Sequence, residues 1–147
     1  METKKLRYGN LVKDAETNEV VIFVCIDPDA LNNRCYIEFR NSNSLWDRGW
    51  PNVDIKPIKI TDKWLKNSKD WNFIDIYKKR IVLNHMRYKA IKIEICTDKT
   101  AVYFHDNLIN YIDYIHELQN LFYSLTRGEL IFRTHELHTN SNKNTSG

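Results

Sequence analysis

At 147 residues the chain has the size of one domain and is long enough to bury a sizeable core. Hydrophobic residues make up 42% and charged residues 28%, with four Gly and three Pro, which excludes a low-complexity or collagen-like chain. Net charge is only +3, but residues 56–92 carry eleven basic and three acidic side chains against seven and nine in residues 1–55, an asymmetry that bears on partners rather than on fold.

No apolar run approaches the ~18 residues of a membrane span, and METKKLRYGN lacks the apolar stretch of a secretory leader. Cys25, Cys35 and Cys96 are an odd, widely spaced set, so reduced thiols in a cytosol are expected.

Residues 6–13 open the fold, with Gly9-Asn10 as a turn or bulge. Residues 20–26 (VVIFVCI) are short, β-branched and bounded by polar turns, which predicts a central strand with Cys25 as an inert small hydrophobe. Asp27-Pro28-Asp29 ends it. Residues 34–40 alternate, with Cys35, Ile37 and Phe39 on one face of a half-buried strand. Residues 41–52 are turn-rich and hold Trp46 and Trp50. Residues 53–60 alternate again, but Pro57 cannot donate to a ladder, so this strand is an edge or is interrupted. Thr61 caps a short helix with Asp62 near its positive end.

After a turn, residues 71–73 lead to strands over 76–83 and 88–96; in the second, alternation puts Lys89 and Lys92 on opposite faces. A tight turn at 97–100 enters a strand over 101–105. Tyr111, Ile115, Leu118, Phe122 and Leu125 then recur at helical spacing, widened by Leu108, Ile112 and Leu121, and Gly128 lies where the helix stops. Residues 130–132 close the domain as a last strand. The expected fold is α+β: a curved antiparallel sheet or partial barrel packed on one long C-terminal helix, plus one short helix. Residues 1–136 form a single domain, and 137–147 are a disordered polar tail.

Little in the chain carries chemistry. His135 and His138 lack a third ligand, and His116-Glu117 lacks the second histidine of a zincin helix because position 120 is Asn. On its helix, His116 reads as a hydrogen-bonded, partly buried side chain. No glycine-rich phosphate cradle or nucleophile elbow occurs, and the acids are scattered. No enzyme, cofactor or metal is expected.

The basic middle is the strongest physical signal. Eleven lysines and arginines between Lys56 and Lys92 are interleaved with Trp64, Trp71, Phe73, Tyr77 and Tyr88. Such a pattern serves phosphates and stacked bases, or an acidic protein surface; it also arises when lysines line the outer faces of strands. Trp46 and Trp50, beside Arg48, are of the types that anchor protein interfaces. The candidate partner-binding set is Lys63, Lys78, Lys79, Arg80, Arg87, Trp46 and Trp50.

The segment YIHELQNLFYSLT at 114–126 resembles a family of small phage, prophage and mobile-element proteins ending in Y-(V/I)-H-x-L-Q-N-L, two aromatic positions, then A-L-T-G-x-E-L. IKITDKWL at 58–65 is similar to that family's I-x-L-T-E-E-W-L, and LRYGNLV at 6–12 to its opening G-N segment. Two features depart: the terminal glycine falls one position late, after Arg127, and residues 66–107 match no pattern. The resemblance implies a mobile-element origin and a non-enzymatic counter-defence inhibitor, an anti-CRISPR protein docking on a host RNA-guided ribonuclease of type VI-B with its guide RNA. The alternatives are an RNA- or DNA-binding accessory protein and a small hydrolase. A cytosolic monomer or weak dimer is expected.

Overall fold

The computed structural model describes residues 5–26, 35–39, 52–66, 68, 70–77, 80–96 and 99–132. Among the described residues the fold is α+β, with two five-stranded antiparallel sheets and two helices, and the chain divides into two compact units. The first comprises residues 1–59 and 114–129, the second residues 60–113 and 130–147.

In the first unit, β1 (Leu11–Asp14), β2 (Val20–Ile26) and β3 (Cys35–Phe39) pair in sequence, and β4 (Asn52–Val53) and β5 (Ile55–Lys56) take the two outer edges. Four strand spacings put the edges of a flat sheet about 19 Å apart. The two residue steps from Val53 to Ile55 span about 7 Å at most. The sheet therefore rolls until one kinked strand serves both edges, pairing Val53 with Cys35 and Ile55 with Asp14. This is the expected curved sheet; its seam is the kink at Asp54, and the strand ends at Lys56, just before Pro57. Its interior holds Val12, Val21, Phe23, Cys35 and Ile37. A bulge between Phe23 and Cys25 tightens the curl and leaves Cys25 exposed rather than inside, because the register shifts beneath it. Burial pushes the Cys35 thiol up to about 11, so it stays protonated.

Helix α2 (Ile115–Thr126) packs on β1 and buries Ile115, Leu118 and Phe122. The predicted start at Tyr111 is corrected: residues 107–112 form a strand, with Tyr111 and Leu108 exposed. Tyr114 is extended, and its N–H donates to Glu117 Oε2 at 3.1 Å, so the helix begins at this cap. Polar residues fix the seat: Leu11 N–H donates to Gln119 Oε1 at 2.8 Å, Asn10 Nδ2 to Asn120 Oδ1 at 3.0 Å, and Asn120 Nδ2 to the Lys5 carbonyl at 2.7 Å. Arg7 forks onto Glu129 at 2.7 and 2.8 Å and lies 4.3 Å from the Tyr123 ring centroid. His116 is buried against the Tyr114 ring, its Nδ1 without a hydrogen-bond partner, so the expected hydrogen bond is not made at that nitrogen.

Arg127 closes the helix in the left-handed conformation, φ 58°, donating its N–H to the Tyr123 carbonyl. Gly128 is not the left-handed residue. Arg127→Gly is accordingly expected to stabilise the protein by about 1 kcal/mol by removing the Cβ conflict. A urea midpoint unchanged or lowered would count against this.

In the second unit α1 (Asp62–Lys66) follows Thr61, with Lys66 donating to Asp62 at 2.9 Å and drawing that carboxyl below its usual range. The second sheet is a meander of β6 (Trp71–Tyr77), β7 (Arg80–His85), β8 (Ile91–Ile95), β9 (Thr100–Phe104) and β10 (Asn107–Ile112). The strand expected over 76–83 is instead two, since Tyr77 pairs back onto Arg80. Leu83, Ile93 and Val102 form one buried cross-strand row. Residues 130–132 form no strand, although Leu130 and Phe132 are buried and Phe132 meets Trp64 edge-on at 5.7 Å. Residues 137–147 lie outside the described residues.

Candidate functional site

Strand β10 is the outer strand of its sheet, and every residue from Asn107 to Tyr111 is exposed. Leu108 is 46% exposed, Ile109 45% and Tyr111 51%, three large apolar side chains on one short strand. The sequence builds it locally: the two-residue turn His105-Asp106 folds NLINYI back on TAVYF, pairing Asn107 with Phe104. A bulge between Leu108 and Asn110 and a hydrogen bond from Tyr111 N–H to Asn110 Oδ1 at 2.9 Å interrupt the free edge. Both devices disfavour addition of another strand, so side chains rather than backbone offer contact here.

Cross-strand pairing aligns Leu108, Tyr103, Lys92 and Asn84 on the face opposite the Leu83–Ile93–Val102 row. Tyr111 shares that face. Lys92 Nζ lies 4.9 Å from the Tyr103 ring centroid, and Lys99 Nζ lies 4.4 Å from that of Tyr111. The result is an apolar and aromatic strip carrying two lysines. Lys92 also donates to Asp106 Oδ1 at 2.6 Å, and that hydrogen bond holds the Asp106 carboxyl below its usual range.

At the β7–β8 end of the sheet a buried histidine organises the connecting turn. His85 Nδ1 accepts from Arg87 N–H at 3.2 Å and Tyr88 N–H at 3.0 Å, and Met86 N–H donates to the Asp70 carbonyl at 2.7 Å. The His85 ring sits edge-on to Trp71 at 5.0 Å. Burial lowers the His85 pKa from its ordinary value, so the ring is neutral and its Nδ1 stays an acceptor. The turn thereby presents Met86 and Arg87 to solvent, with the Arg87 guanidinium 5.5 Å from the Tyr88 ring centroid.

Of the residues singled out in the sequence, Lys63 is exposed on α1 and Arg87 on this turn, and no described contact joins them. Trp46, Trp50, Lys78 and Lys79 lie outside the described residues, as do His135 and His138; Arg80 is described only in its backbone. Lys89 and Lys92, expected on opposite strand faces, line one depression, because Lys89 belongs to the turn before β8. Sequence reasoning missed Lys99, Tyr103, Leu108 and Tyr111. The signal was the polar pair His105-Asp106 between two β-prone segments. Among the described residues, no group of three or more His, Cys, Asp or Glu side chains is placed to hold a metal, and no helix is long and apolar enough to cross a membrane.

No protein-family model matches the sequence, and neither a curated protein nor a solved structure shows significant similarity to it.

Proposed function

We propose that this chain is a non-catalytic binding protein that docks through the Tyr103, Leu108 and Tyr111 face, flanked by Lys92 and Lys99, on a host RNA-guided nuclease in the cytosol and inhibits it. The observation that carries the docking is the run of exposed apolar side chains along β10. Water leaves such a strip at a gain of roughly 25 cal/mol per Å², and aromatic side chains at the centre of an interface dominate its energy. The choice of target rests on the sequence resemblance, which gives a counter-defence role to a small domain without catalytic motifs.

Direct binding of RNA or DNA is the second reading, favoured by the lysine–tyrosine pairs. Lys92 already faces Asp106, and the centre of the strip is apolar, whereas nucleic-acid interfaces are more polar and strongly positive. Those features favour a protein partner.

The test uses a purified type VI-B ribonuclease with its guide RNA. Wild-type protein is expected to inhibit stoichiometrically, and Leu108→Asp and Tyr111→Ala each to weaken inhibition by about 30-fold or more. Charge reversal at Lys78, Lys79 and Arg80 tests the sequence-predicted set in the same assay. Absence of wild-type binding sinks the target; full potency of both β10 variants sinks the face. Tight binding to free RNA, falling steeply with salt, moves the second reading to first.

A further inference from the structure

We draw no further inference here: the strongest candidate, the exposed apolar strip of Leu108 and Tyr111 on the outer strand β10 with the Lys99 ammonium against the Tyr111 ring, belongs to the docking face already described, and nothing in the structure shows what covers it.

Discussion

Gln119→Leu is expected to lower the unfolding free energy by about 2–3 kcal/mol, far more than its place near the middle of an amphipathic helix suggests. Leucine restores the volume and the apolar character of the neighbouring stripe, so no cavity explains the loss. The cost is electrostatic: the buried Leu11 N–H loses the Oε1 that accepts it at 2.8 Å, and the Gly9 carbonyl loses its contact with Nε2 at 3.5 Å. Asn120→Ala, whose contacts lie nearer solvent, is expected to cost about 1 kcal/mol. Urea unfolding with an unchanged slope measures both. A Gln119→Leu midpoint indistinguishable from wild type would mean that water satisfies the strand as well as the helix does.

His85→Ala carries the other large effect, about 2–4 kcal/mol, from the lost ring between Trp71 and Tyr88 together with two orphaned backbone donors. Its protonation has the same sense. Burial lowers the pKa of both His85 and His116 below the ordinary imidazole value. The unfolded chain takes up protons near pH 6.5, the folded one only further down. Between those points the unfolded state binds more protons, so stability is complete above pH 6.5 and falls as pH drops through the folded values. His85→Asn keeps an acceptor for the Arg87 and Tyr88 amides and does not titrate. Its urea midpoint is expected to vary less than wild type between pH 7.5 and 5. Identical profiles would assign the acid sensitivity to other groups.

Periodicity and turn chemistry made much of the fold legible. The apolar run at 20–26, the alternation around Ile37 and Ile93, and the break at Pro57 all lie where those rules put them, because burial of one strand face enforces them. The stretch from Leu108 to Ile112 was not legible. Its apolar residues continue the helical spacing of α2, and only pairing with β9 decides for a strand. The same ambiguity hid the candidate face, since a residue on a core-facing helix stripe is expected inside. Gly9-Asn10 and Gln119-Asn120 are partners across about a hundred residues, the Gly9 carbonyl accepting from Gln119 and Asn10 donating to Asn120. These residues hold a helix to a strand, which spacing along the chain cannot reveal. The depression lined by Lys89 and Lys92 was also beyond reach, because a turn lysine and a strand lysine converge only once β7, β8 and the β9–β10 hairpin are laid side by side.

The rolled sheet and its helix are separated in the chain by the five strands of the meander, and this sets the order of events during synthesis. Each meander strand pairs with its immediate successor, so contacts form as soon as each hairpin is released, in the manner of low-contact-order folding. The rolled sheet is also made early, but the seat on β1 stays wet until residues 115–126 emerge, with the Leu11 amide bonded to water instead of Gln119. Docking then closes a loop of 108 residues, a step whose entropy rises only logarithmically with the length enclosed. A nascent chain paused before Tyr114 thus holds the paired strands of the meander and a rolled sheet whose seat on β1 is still open, and release of residues 115–126 is the event that covers that seat.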